Sequence, residues 1–204
     1  MNYLAFDTSG TYLTTVVGGE KSEIRHVEKC SQSHSVILMD EVEKILLGLG
    51  LDLNDIDVFA CSVGPGSFTG IRIGVSTAKA FAYALSKKVL PVTSFEILAY
   101  NITESVDKLT LIDARHDNFY VCGFNSKNQI VLPPSFMTKD EVVSLSKDYV
   151  LVSDCKIDGI ESVVGNLAKG FKLAIEDRIH LASGNIEDLV PLYVKRSQAE
   201  EELC

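Results

Sequence analysis

A chain of 204 residues with 46% apolar and 23% charged side chains suffices for one large or two small globular domains, and this composition excludes disorder over its bulk. The net charge of −9 is shared by both halves: 8 basic against 11 acidic residues give −3 over residues 1–100, and 11 against 17 give −6 over residues 101–204. No Lys/Arg run exceeds two residues, which argues against a protein that grips nucleic acid unaided.

The N-terminal residues Met1-Asn-Tyr-Leu-Ala-Phe-Asp run directly into an apolar strand at Tyr3–Phe6, without the basic and apolar segments of a secretion signal. The turn Asp7-Thr-Ser-Gly10 follows. Tyr12–Val17 and Ser22–Val27 read as the next two strands, so the chain opens with an antiparallel meander. His34–Leu49 is a helix, with Leu38, Val42, Ile45 and Leu49 at helical spacing, an Asp40/Lys44 pair four apart, and Ser31 or Ser33 as its cap. Val58–Ser62 is apolar on both faces and reads as an interior strand.

The segment VGPGSFTGIRIG, Val63 to Gly74, then places four glycines in twelve residues at a strand-to-helix turn. Such turns often cradle phosphates. The spacing fits none of the usual motifs. No glycine is followed by Lys-Ser/Thr as a Walker loop requires, and Gly64, Gly66 and Gly70 are one residue too long for a dinucleotide fingerprint. Ser67 directly follows Gly66, so a G-x-S-x-G nucleophile elbow fails as well. Without a ligand, Gly66, Gly70 and Gly74, spaced by four, let another backbone come close to a helix face.

Thr69–Ser86 is that helix, apolar nearly all round, and must therefore be covered on more than one side. Val89–Val92 is a strand, and Ser94–Asn101 a short helix capped by Ser94. Strands follow at Leu109–Ile112, Phe119–Phe124 and Ile130–Leu132, with Pro133-Pro134 as a break. A helix at Lys139–Ser146, a strand at Val150–Val152 and a helix at Glu161–Lys169 precede an extended, then solvated tail. The order predicts an α/β protein of mixed sheets covered by helices, with a domain over residues 1–101 and a smaller one over 102–204.

Candidate chemistry is sparse. His26, His34, His116 and His180 show no metal-ligand spacing. The five cysteines, Cys30, Cys61, Cys122, Cys155 and Cys204, form no C-x-x-C pair and read as free thiols in a reducing, cytoplasmic setting. Asp7 follows a strand, where its carboxylate either reaches a metal or phosphate-bound water or caps its own turn; both readings stand. The longest weakly charged stretch, Gly70–Ser86, carries Arg72 and Lys79 and is too short and polar to span a bilayer.

The stretches LAFDTS, SHS, GPGSFTGIRIGVSTAKAFAYAL, LTLIDAR and PLYVKRSQAE together resemble the TsaB (YeaZ) family, over nearly the whole chain. The resemblance implies two ribonuclease-H-like lobes, as in actin, Hsp70 and sugar kinases. It implies a part in forming N6-threonylcarbamoyladenosine in tRNA, beside the transferase TsaD and the ATPase TsaE. In TsaD a histidine pair binds metal; by position Ser94 and Leu98 stand there in this sequence, which implies a non-catalytic partner without a cofactor. The family pairs with TsaD, or with itself in isolation, through the first helix and the glycine-turn helix. His34, Leu38, Phe68, Gly70, Arg72, Gly74 and Lys79 are the corresponding interface residues, with tRNA engaged only indirectly. On that reading Arg72→Glu or Gly70→Leu loosens the pairing and leaves the fold largely intact. A self-sufficient metal-dependent hydrolase or peptidase, or a nucleotide-binding regulator with Asp7 and Gly64 in its cleft, is the alternative.

Overall fold

Alternation of apolar residues along Tyr3–Asp7 (β1) decides the two faces of the first sheet: Leu4 and Phe6 point to one core, Tyr3 and Ala5 to another. The structure is a computed structural model and describes residues 1–28 and 34–195. The cap expected at Ser31 or Ser33, together with Cys30, Cys204 and the tail from residue 196, lies outside the described residues. β1 pairs antiparallel with Leu13–Gly18 (β2), which pairs antiparallel with Glu23–Val27 (β3). On its other side β1 runs parallel to Val58–Ser62 (β4), which runs parallel to Lys88–Val92 (β5).

Two helices cover one face of this sheet. His34–Leu49 (α1) and Phe68–Leu85 (α2) bring Leu38, Val42, Ile45, Ile71, Val75 and Ala78 onto Leu4, Phe6 and Phe59. The expected Asp40/Lys44 pair is replaced by a closer one. Lys44 meets Glu41 at 2.8 Å, and Arg25 on β3 reaches the other oxygen of the same carboxylate, also at 2.8 Å. Lys44 and Arg25 together hold the Glu41 carboxyl below its usual range.

Lys108–Asp113 (β6), Asn118–Phe124 (β7), Ile130–Thr138 (β8), Val150–Ser153 (β9) and Val163–Val164 (β10) repeat the arrangement. The strand orders are β3-β2-β1-β4-β5 and β8-β7-β6-β9-β10, with the same parallel and antiparallel pairs. The chain is thus an α/β protein of two ribonuclease-H-like sheets. Pro133 and Pro134 do not break β8. They sit at a register shift on an edge strand, where a missing N–H costs no interior ladder bond.

The helices do not respect the expected division at residue 101. Ser94–Ala99 (α3) is capped by Thr93 rather than Ser94, in a reciprocal box with Glu96. It sends Phe95 and Leu98 onto Ile112, Phe124 and Val152 of the second sheet. Lys139–Leu145 (α4) closes the other face of that sheet through Val142. The helix expected at Glu161–Lys169 is instead β10 followed by Leu167–Arg178 (α5). α5 returns to the first sheet, where Phe171, Ala174 and Ile175 cover Tyr3, Ala5, Val16 and Val58. A cut after residue 101 therefore strips the back of the first lobe. Gly170 lets α5 lie directly on the Ile97 carbonyl of α3, and Arg178 bonds Glu96 at 2.6 Å across the same seam.

Phe171 is fully buried, so Phe171→Ala should cost about 3–5 kcal/mol in urea unfolding, although α5 is distant in sequence from the sheet it covers. The Glu41 carboxyl, lowered from an ordinary 4.5, contributes stability above that pH and loses it as the pH falls through its folded value. Melting temperature should fall on acidification, and less steeply in Glu41→Gln.

Candidate functional site

The glycine turn packs against the chain's own N-terminal turn. Thr8 lies over α2, and a Cβ at Gly70 would overlap the Thr8 carbonyl oxygen, while one at Gly74 would stand 2.7 Å from the Thr8 hydroxyl. That hydroxyl donates to the Gly70 carbonyl at 2.7 Å. Ser67 caps α2 through the Gly70 N–H and sends its own N–H to the Ser9 carbonyl at 2.6 Å. The backbone that the glycine spacing admits is therefore that of residues 8–9. Gly64 has φ +97, and a Cβ there would stand 2.5 Å from Ile71 Cδ1 and 3.2 Å from the Leu192 carbonyl, so the turn itself requires glycine there.

Asp7 bonds within its own turn. One carboxylate oxygen accepts the Ser9 N–H at 2.9 Å and the Ser9 hydroxyl at 2.7 Å, and the other accepts the Tyr12 hydroxyl at 3.2 Å. Burial and the Asp7 charge push the Tyr12 phenol well above its usual pKa. Ser9, Ser62 and Ser94 form a triangle of hydroxyls, with Ser62 and Ser94 at 3.2 Å, Ser9 and Ser94 at 3.3 Å and Ser62 and Ser9 at 3.4 Å.

This polar cluster floors a cleft of about 600 Å³ between the lobes. The β1–β2 turn and the glycine turn at residues 65–67 ahead of α2 form one wall, and Asp113, Arg115, Asp154 and Cys155 from the ends of β6 and β9 form the other. Asp7 and Gly64 lie behind the lining and do not contribute to it. Asp113 and Arg115 are neighbours at 3.9 Å, and burial raises the Asp154 carboxyl, one oxygen of which has no partner. The cleft is thus mildly acidic, with Arg115 the single cation among its lining residues. Among the described residues, no group of three or more His, Cys, Asp or Glu side chains is placed to hold a metal ion, and no helix is long and apolar enough to cross a membrane.

Four of the seven residues expected at a partner interface face inward. His34 is buried and bonds the Tyr12 carbonyl at 2.7 Å, Leu38 is in the first core, and Gly70 and Gly74 lie under Thr8. For Gly70 and Gly74 the small-residue face of α2 is filled by Thr8 of the same chain, and for His34 and Leu38 that side of α1 packs on the β1–β2 turn and the first core. Phe68, Arg72 and Lys79 are on the outer side but are not free. Tyr193 stacks on Phe68 at 4.5 Å, Arg72 lies 4.0 Å over the Phe68 ring and donates to the Tyr193 hydroxyl at 3.1 Å, and Lys79 pairs with Glu187 at 3.0 Å.

What the sequence reading missed is the outer row of apolar side chains. Val36 is 71% exposed, Met39 48% and Leu47 69% on α1, and Tyr83 is 77% exposed on α2. Their signal was present: both helices are apolar on more sides than one sheet can cover.

Comparison with known proteins adds the relationships. A family model described as TsaD, tRNA N6-adenosine threonylcarbamoyltransferase, matches residues 26–174. The tRNA threonylcarbamoyladenosine biosynthesis protein TsaB of Bacillus subtilis is 30% identical over 224 aligned positions, covering 98% of this chain and 96% of that protein. The protein of the same description from Haemophilus influenzae is 30% identical over 125 residues, 59% of this chain and 52% of the relative. The structure of YeaZ from Pseudomonas aeruginosa superposes with a TM-score of 0.78 at 21% identity, covering 94% of this chain and 99% of that one.

Gly70→Leu should destabilise the fold itself, by about 2–3 kcal/mol or more, because the new side chain must displace the Thr8 backbone. An unchanged urea midpoint would show that the contact with Thr8 gives way freely.

Proposed function

The chain belongs to the TsaB (YeaZ) family, related to the TsaD transferases, and from that premise we propose that it acts as a non-catalytic partner of TsaD in forming N6-threonylcarbamoyladenosine in tRNA. The observation that carries this reading is the outer apolar row: Val36, Met39 and Leu47 on α1 and Tyr83 on α2, all exposed on two helices that share one sheet face. Large apolar side chains left in water on a helix pair mark a surface that another protein covers. Arg72 and Phe68 extend that surface to the first turn of α2, and aromatic and arginine side chains are frequent anchors of such contacts. The same row accounts for a homodimer in isolation. TsaE joins through the TsaB–TsaD pair, and tRNA is met through TsaD, in keeping with the net charge of −9.

The non-catalytic part rests on the two positions that correspond to the TsaD histidines. Ser94 is buried in the hydroxyl triangle, and Leu98 is fully buried among Phe95, Ile112 and Phe124. A neutral serine and a leucine do not fit a metal, so no step is assigned through one. A self-sufficient hydrolase would need a base beside a nucleophile. The carboxylate bonded to the serine cluster is Asp7, which is buried, does not line the cleft and bonds the hydroxyls of Ser9 and Tyr12 within its own turn.

Titration of TsaD into this protein should show tight binding, weakened at least tenfold by Leu47→Glu and by Tyr83→Glu, while both variants melt within a few degrees of the wild type. Equal affinity of both variants for TsaD would remove α1 and α2 as the docking surface.

A further inference from the structure

The chain after α5 does not stay on one lobe. Ser183 and Val89 exchange backbone bonds of 2.8 and 3.0 Å, and Leu189 is fully buried in the first core. Leu192 then donates its N–H to the Val63 carbonyl at 2.7 Å, and its side chain packs against both the first core and the cluster between α3 and the second sheet. Val194 continues into that second cluster, and the Lys195 ammonium stands 5.3 Å from the Phe136 ring on β8. Between them, Tyr193 turns outward onto Phe68 and Arg72. Residues 192–195 therefore touch the first lobe, the first turn of α2 and the second lobe in succession.

This path crosses the junction behind the cleft. Gly64, whose carbonyl accepts the Ser94 N–H at the start of α3, lies directly against the Leu192 carbonyl. Val63 on one side and Phe124 and Phe136 on the other are bridged by this strap, so any widening of the cleft that parted them would have to stretch or release it. Leu189 is buried in the first core and the half-buried Leu192 packs against both cores, whereas Tyr193 is 39% exposed and can leave without unfolding either lobe.

We infer that residues 183–195 form a latch that holds the interlobe cleft at its present opening, with the stack of Tyr193 on Phe68 and Arg72 as its releasable end. Tyr193 lies on the Phe68 and Arg72 side chains that the docking surface includes, so a protein seated over all three there would hold the stack in place; this last clause rests on the docking proposed above, and the latch itself does not.

Hydrogen exchange of the full chain tests it, with Tyr193→Ala and Tyr193→Phe beside the wild type. The Leu192 amide should exchange about tenfold faster or more in Tyr193→Ala and less than about threefold faster in Tyr193→Phe, which keeps the ring stack. Amides of β1 and β4 should keep wild-type protection in both, showing that the fold survives. Spin labels carried by non-natural side chains at the exposed Lys88 and Lys127, one on each lobe, should give a broader distance distribution in Tyr193→Ala. Unchanged Leu192 exchange, or an unchanged distribution, overturns the latch. With TsaD added to the wild type, Leu192 exchange should slow. Binding seen by calorimetry without that slowing overturns the coupling, and no binding at all overturns the docking while the exchange and label results still decide the latch.

Discussion

Thr8 places its carbonyl oxygen in the groove over Gly70 and gives its hydroxyl proton to the Gly70 carbonyl, so the β1–β2 turn and α2 are fixed to one another at backbone distance. Much of the first lobe follows from this contact. It sets where Ser9 meets Ser67 and Ser94, and it places Tyr12 where the phenol reaches Asp7 and the carbonyl reaches His34 at the start of α1. A side chain at Gly70 would lift the turn and carry that network with it. The glycines that suggest a phosphate cradle in the sequence thus serve internal packing. The part of α2 left for other proteins is the opposite side, where Arg72, Ser76, Ala80 and Tyr83 are exposed.

The two sheets share one topology but not one economy of helices. The first sheet is buried on both faces, by α1 and α2 in front and α5 behind. The second leaves more of itself in water: Ile130, Val131 and Phe136 on β8 and Val163 and Val164 on β10 are exposed at its two edges. The two-residue length of β10, and the prolines and register shift of β8, make those edges poor templates for pairing. The lobes are joined by the α3–α5 seam, where Gly170 removes the side chain that would hold the helices apart and Arg178 ties the Glu96 cap.

The N-terminal meander, α1, β4 and α2 were legible in the sequence, because long apolar periods and glycine turns agree there. The doubled topology was legible as a rough recurrence of hairpin, helix and strand. α5 was not. Gly170 and the charges at Lys169, Lys172, Glu176 and Asp177 dilute its apolar stripe, and the strands it covers lie far upstream in the other lobe. Pro133 and Pro134 read as a break because sequence alone does not tell an edge strand from an interior one. At the candidate site the spacing of Gly66, Gly70 and Gly74 announced a close approach, and only the fold named its partner as Thr8 and Ser9. Tyr193 and Glu187 escaped notice because a contact between a tail and a helix leaves no local pattern.

The return of α5 to the first sheet also sets an order of events during synthesis. Strands β1 to β5 are complete by residue 92, yet the face formed by Tyr3, Ala5, Val16, Val58 and Leu90 has only Ile97 and Tyr100 beside it until the residues of α5 follow. On a ribosome making about 5–20 residues per second, that apolar sheet face waits several seconds for a helix still to be made. During this interval the nascent chain is a sheet with one dry face and one largely wet one, and exposed apolar surface of that kind favours association between chains.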